Sequence, residues 1–274
     1  MKIGVISDIH IDSNKKVVPE GSTFAEILGN QLNQQQIELL LLAGDISSDY
    51  LLSQQFIDEL KSQTKCRILF VPGNHDYWSR KNGEEDTNKI YQFFKAKPES
   101  VLERPYIIND EWAVVGNSGW YDYGYADGEQ YTEEDFDRMK YRVGAWNDKY
   151  YVHWNEGNQA VAQWMMDKIE EDMKAVGDRK VILMTHVAMH PQFVIPLPHR
   201  IYDYFNAFLG SSSYEWLYTK YPIKYSIMGH VHFRKIVRDE ERTYITACLG
   251  NKKHWGKKDL EAEIKRTMVT FEIE

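Results

Sequence analysis

Six short apolar runs, at residues 3–7, 39–43, 67–71, 112–116, 181–185 and 225–228, limit what this chain can fold into. Runs this short, most of them stopped by polar or glycine-containing clusters, read as buried strands rather than core helices. Segments of helical character lie between the first three. In residues 49–65, for example, Leu51, Leu52, Phe56 and Leu60 recur at helical spacing. A longer helix is expected over residues 158–176, with Val161, Trp164, Met165, Ile169, Met173 and Val176 on one face and Gly177 placed to end it. Residues 244–247 and 268–271 alternate like further half-buried strands. Strands alternating with helices point to the α/β class, with sheets covered by helices.

Composition sets the outer bounds. With 274 residues, 43% of them hydrophobic and no compositional break, the sequence reads as one domain spanning 1–274. A net charge of -8 argues against a surface that holds long nucleic acid or an anionic membrane by bulk electrostatics. Small anions are not excluded, because bound cations reverse the sign locally. Cys66 and Cys248 sit in apolar surroundings and read as reduced, packed thiols. The N-terminus carries charge within a few residues and no apolar run approaches the ~20 residues of a membrane helix, so a cytoplasmic protein is expected.

The chemistry lies where the apolar runs stop. In order, the ends display Asp8 and His10, then Gly44-Asp45, then Gly73-Asn74-His75-Asp76, then His186, then Gly229-His230 with His232. Side chains at i and i+2 of a strand share a face, so each of the pairs Asp8/His10 and His230/His232 is expected to present two donors to one locus. In open α/β sheets, ligands gather at the carboxyl ends of strands. Imidazole and carboxylate without thiolate suit manganese, iron, zinc or nickel. A carboxylate can bridge two ions, and ions roughly 3.5–4 Å apart can hold a hydroxide and clamp phosphoryl oxygens during in-line attack. Taken singly, each block has a bland reading as a turn or a packed histidine. The ordered set at five successive strand ends does not.

This pattern resembles the calcineurin-like metallophosphoesterase superfamily, whose blocks are Asp-x-His, Gly-Asp, Gly-Asn-His-Asp/Glu, His and Gly-His-x-His. All five occur here between residues 8 and 232. The resemblance implies a four-layer α/β/β/α sandwich with the metal site at the strand ends. It implies that Asp8, His10 and His232 hold one metal, that Asn74, His186 and His230 hold the other, and that Asp45 bridges them. His75 matches the histidine that contacts the phosphate and protonates the leaving alkoxide; with an ordinary pKa of ~6.5 it is expected to be protonated near neutral pH when a phosphate lies beside it. Many members carry Gly-Asp-x-x-Asp, the second Asp orienting that histidine. Here Ser48 stands at that position and Asp49 one later, where a helix-cap role is expected of it. Asp76 is read as structural, and His190 and His199 as loop residues.

Residues 117–154 contain eleven aromatics in thirty-eight positions, about twice the density of the whole chain. With Arg138, Lys140 and Arg142 they suit a cap that stacks on a base or aryl group and attracts phosphate; an aromatic minicore that packs the insertion is the alternative. The expected activity is metal-dependent hydrolysis of a small phosphomonoester or phosphodiester, nucleotide or aryl, by a metal-bridging hydroxide. The competing readings are a nuclease of the same superfamily and a catalytically idle scaffold binding a partner through the aromatic insertion.

Overall fold

The computed structural model describes residues 1–79, 83–256 and 258–274. Its strands, in chain order, are β1 (Lys2–Ile6), β2 (Leu39–Ala43), β3 (Arg67–Val71), β4 (Tyr106–Ile107), β5 (Trp112–Gly116), β6 (Lys140–Tyr141), β7 (Gly144–Ala145), β8 (Lys180–Met184), β9 (Ile223–Met228), β10 (Arg234–Arg238), β11 (Thr243–Ala247) and β12 (Val269–Glu272). Two mixed sheets result, ordered β12-β1-β2-β3 and β10-β11-β9-β8-β5-β4, with β6 and β7 forming a separate hairpin. In each large sheet the central strands are parallel and antiparallel strands lie at the edge: β12 in the first, β4 and β10 in the second.

The sequence of β2, Leu-Leu-Leu-Leu-Ala, is buried throughout, as expected of a parallel strand covered on both faces. Alternation divides the second sheet. Val114, Ile182, Met184, Ile227 and Ile245 join the same core as Ile3, Val5 and Leu40 of the first sheet. Their neighbours Ala113, Val115, Val181 and Leu183 face the other way, onto Met166, Ile169, Met173 and Val176 of the helix Asn158–Val176. Helices Phe24–Gln34, Tyr50–Gln63 and Leu260–Thr267 contribute Leu28, Leu32, Phe56, Leu60 and Ile264 to the core of the first sheet.

The sheets meet at their carboxyl ends. Ser7 donates to the Ala247 carbonyl at 2.9 Å and accepts from Leu249 N at 2.9 Å, so the end of β1 runs parallel to the end of β11. That seam brings residue 8 beside the loop that follows β9. Strand β10, Arg-Lys-Ile-Val-Arg, gave no apolar run to read, because it is an edge strand and mostly solvent-facing.

Candidate metal centre

All seven expected donors converge. Asp8, His10, Asp45 and His232 form one group and Asp45, His186 and His230 a second; within each, the donor atoms lie within 4.8 Å of one another. Asp45 belongs to both: His10 Nε2 stands 3.7 Å from its Oδ2 and His186 Nε2 3.4 Å from its Oδ1. Asn74 joins the second group through Oδ1, 3.1 Å from His186 Nε2 and 3.0 Å from His230 Nδ1.

The backbone that achieves this is not strand. β1 ends at Ile6 and β9 at Met228, and Asp8 (φ 52°), His10 (φ 41°), Asp45 (φ 56°), His230 (φ 71°) and His232 (φ 56°) all take the left-handed conformation. Asp8 and His10 share one locus as expected, but the expectation for His230 and His232 is corrected: they point to different groups, because successive left-handed turns, not pleating, aim the side chains. Each such residue costs on the order of 1 kcal/mol or more, a strain tolerated where the surroundings over-determine the conformation. The packing leaves no slack. A Cβ on Gly44 (φ +84°) would lie 2.5 Å from His186 Nδ1 and 2.6 Å from Gly73 N.

Hydrogen bonds at the back of two imidazoles fix what their other nitrogens offer. His186 Nδ1 faces the Ala43 carbonyl at 2.9 Å and His230 Nε2 the Phe208 carbonyl at 2.8 Å. A carbonyl accepts only, so both nitrogens carry hydrogen, and in the neutral rings His186 Nε2 and His230 Nδ1 carry lone pairs. These two atoms lie 3.2 Å apart. His10 Nε2 and His232 Nε2 face each other at 3.0 Å. Asp45 Oδ2, buried between the groups, meets no hydrogen-bond donor among the described residues. Converging lone pairs beside an unpartnered carboxylate oxygen are what a cation site requires, and the oxygen and imidazole donor set fits first-row transition metals.

Electrostatics points the same way. Burial works to raise the Asp8 and Asp45 carboxyls, yet the surrounding histidines outweigh it and hold both below the usual range. Burial lowers His186, but Asp45 more than compensates and raises it to about 9. His230 follows burial and falls to about 4. Asp8 is further held by its two contacts from His230 N, both 3.0 Å.

Around this centre, His75 stacks on Trp78 (centroids 3.6 Å apart), which stacks in turn on Tyr151. Burial pushes His75 down to about 3, so without a phosphate beside it the ring is neutral. Ser48 Oγ, not Asp49, faces His75 Nδ1, at 3.4 Å. Asp49 caps the helix Tyr50–Gln63 through Leu51 N and Leu52 N, as expected. Asp76 is a buried knot: Oδ2 accepts from Asp45 N and Gly73 N, both 2.8 Å, and Oδ1 from Ile46 N (3.0 Å), Ser47 N (3.1 Å) and Ser53 Oγ (2.6 Å). Burial and the charge of Asp45 push its carboxyl up to about 7. Every neighbour donates, however, so the carboxylate is the form that satisfies them.

A cleft of about 280 Å³ opens over the centre, bounded by Asp45, Asn74, His75, His230 and His232 below and by Trp146, Ile195, Tyr202, Leu209 and Phe233 on its walls. Most of the aromatic insertion lies elsewhere. Trp120, Tyr121 and Tyr123 are buried in the core, so the minicore reading describes them, and Tyr125 is buried as well. Neither Arg138, paired with Glu134 and Asp135, nor Lys140 or Arg142 lines the cleft, and the phosphate-attracting role expected of them is not met. Sequence reading missed Ile195, which sits in a loop, Tyr202, which opens a helix (Tyr202–Phe205) too short to show periodicity, and Asp148, an acid hidden in the aromatic run. His190 and His199 cap local turns, accepting from Gln192 N and from Ile201 N and Tyr202 N. Cys66 and Cys248 are buried free thiols.

Residues 1–234 match the sequence profile of the calcineurin-like phosphoesterases. The chain belongs to that family. A probable cyclic nucleotide phosphodiesterase of Coxiella burnetii is 32% identical over 80 residues, which is 28% of this chain and 32% of that protein. The shared segment thus spans about a third of that relative. The fold resembles that of a phosphopantetheinyl hydrolase from Mycobacterium tuberculosis, with a TM-score of 0.70 and 16% identity over 93% of this chain and 91% of the other. It also resembles TT1561 of Thermus thermophilus, with a TM-score of 0.53 and 13% identity over 98% and 97%. Among the described residues no helix is long and apolar enough to cross a membrane.

Proposed function

We propose that this family member is a dinuclear metal-dependent phosphoesterase, acting in the cytoplasm on a small phosphomonoester or phosphodiester. The observation that carries this reading is the pair of donor groups sharing Asp45. Asp8, His10 and His232 would hold one ion, Asn74, His186 and His230 the other, and Asp45 both; manganese, iron, zinc and nickel all suit the donors. Two such ions supply positive charge to the phosphoryl oxygens and acidify a water for in-line attack. We read the chain as one domain of four layers, α/β/β/α, with 117–154 as an insertion that reaches the cleft through Trp146 and otherwise packs on the core.

The remaining chemistry belongs to the protein. His75, held by the Trp78 stack and faced by Ser48, is the proton donor to the leaving oxygen. A phosphate anion beside the ring opposes the effect of burial and raises its pKa. The walls Trp146, Ile195, Tyr202, Leu209 and Phe233 take the organic part of the ester, and no Lys or Arg stands among the described residues lining the cleft. A neutral wall and a volume of about 280 Å³ favour a small ester over a long polyanion. The Coxiella relative is named for cyclic nucleotides, which are small phosphodiesters, and that supports the reading.

The test is turnover by metal-quantified protein, with manganese added, on p-nitrophenyl phosphate, bis(p-nitrophenyl) phosphate, cyclic nucleotides and single-stranded DNA. Hydrolysis of a small ester is expected. DNA cleavage without small-ester activity would make the protein a nuclease, and two bound ions without any turnover would make it a scaffold.

A further inference from the structure

The loop at Asn147–Tyr150 sends one carboxylate back toward the candidate metal centre. Asp148 is 1% exposed and accepts four side-chain donors. Its Oδ1 takes Asn74 Nδ2 at 2.8 Å and Trp78 Nε1 at 2.6 Å; its Oδ2 takes Tyr121 Oη at 2.7 Å and Trp146 Nε1 at 2.9 Å, with Asn74 Nδ2 again at 3.1 Å. An amide has one accepting and one donating end, and a carboxylate only accepts. Asp148 therefore claims the donating end of Asn74 and leaves Oδ1 aimed at His186 Nε2 and His230 Nδ1, at 3.1 and 3.0 Å. Asn in place of Asp148 offers one accepting oxygen where four side-chain donors converge, so the hold on the Asn74 NH2 weakens and the amide is freer to turn it toward the imidazoles.

Resting on the dinuclear reading above, we infer that Asp148 is a positioning residue for the second metal: it fixes Asn74 as an oxygen donor and ties that ion's affinity to the aromatic insertion. Of the other three donors, Tyr121 and Trp146 come from the insertion and Trp78 from the segment after β3. Trp78, Tyr121 and Trp146 hold the carboxylate in one orientation, and each also meets the site or its cleft: Trp78 stacks on His75, while Tyr121 and Trp146 pack against His230. A buried carboxylate is costly unless fully hydrogen-bonded, and this one is. The negative charge also polarises the Asn74 amide and makes its oxygen a better ligand.

The experiment compares wild type, Asp148→Asn and Trp146→Phe, each titrated with Mn(II) alone by calorimetry and electron paramagnetic resonance, with thermal unfolding measured in parallel. Loss of such an outer partner costs about 10- to 100-fold in metal affinity. The expected result is that Asp148→Asn binds its first Mn(II) as wild type does and its second 10- to 100-fold more weakly. An isolated six-line spectrum then persists at ratios where wild type shows a spin-coupled pair. Trp146→Phe removes a donor to the same carboxylate but leaves the Asn74 bond, so it should lose stability and keep two ions. Two ions bound by Asp148→Asn with wild-type affinity would overturn the inference. A metal-loaded crystal structure of the wild type tests the same point if Asp148→Asn does not fold: Asn74 with Nδ2 turned away from Asp148 would overturn it equally. Failure of wild type to bind two ions would instead remove the dinuclear reading itself.

Discussion

Asp76 offers the sharpest test of how this site is built, because its two oxygens hold two of the loops that carry metal-facing residues, those of Asp45 and Asn74. Asp76→Asn keeps the shape and removes one accepting oxygen. If the amide carbonyl keeps the Oδ1 position, the new NH2 confronts Asp45 N and Gly73 N, both now 2.8 Å from an acceptor. If the amide is flipped, Ile46 N and Ser47 N lose their acceptor instead. Either way two buried N–H groups are stranded, at about 1–3 kcal/mol each, for a total of about 4 kcal/mol. That is a large fraction of the ~5–15 kcal/mol that stabilises a folded domain. Since the residues released are Asp45 and Gly73 in one orientation and Ile46 and Ser47, which follow Asp45, in the other, activity and metal content should fall together with stability. Tryptophan fluorescence through a urea titration measures the loss, and metal analysis of the folded fraction measures the coupling. A destabilisation under about 1 kcal/mol with full metal content would refute the claim that this carboxylate organises the two loops.

Other perturbations follow from the same geometry. Asp45→Asn should weaken binding of both ions and abolish turnover, read by Mn(II) calorimetry beside the activity assay. His75→Asn should keep its metals and lose about 10²- to 10⁴-fold in kcat, most on esters with poor leaving groups, so equal losses on aryl and alkyl esters would count against a proton-donor role. Tyr202→Ala should raise KM while leaving kcat within a few fold, as expected for a cleft wall that binds ground and transition states alike. Burial, with Glu103 and Glu171 nearby, pushes Asp172 up to about 7, and its Oδ2 has no hydrogen-bond partner among the described residues. A raised carboxyl pKa contributes stability below the ordinary value of 3.8 that is lost as pH rises through about 7. Asp172→Asn should therefore raise the thermal midpoint relative to wild type well above that pKa, at a pH of about 8.5, and not near a pH of about 4, and an equal shift at both values would refute the assignment.

The local elements were legible because they depend on local pattern. Leu39–Ala43, Arg67–Val71 and Trp112–Gly116 are strands with the bounds their apolar runs announce, and Asn158–Val176 is the helix its periodicity predicts, ended by Gly177. Asp49 behaves as the cap its position suggested. The residues that gather at the candidate metal centre could also be named from the sequence, since Asp8, His10, Asp45, Asn74, His75, His230 and His232 lie in dense blocks past apolar runs, while His186 is marked only by its position after one.

Only the tertiary structure decided how these groups face one another. Left-handed turns at five positions, rather than strand pleating, divide the donors into two groups around Asp45, and such turns carry no periodic signal. The cleft wall draws on Trp146, Ile195 and Tyr202 from separate stretches of chain. Asp148 meets Asn74 across 74 positions. Sequence determines the local conformation and the chemical inventory, because both are written within a few residues. The pairing of a buried acid with a distant amide becomes visible only when packing has closed the chain around it.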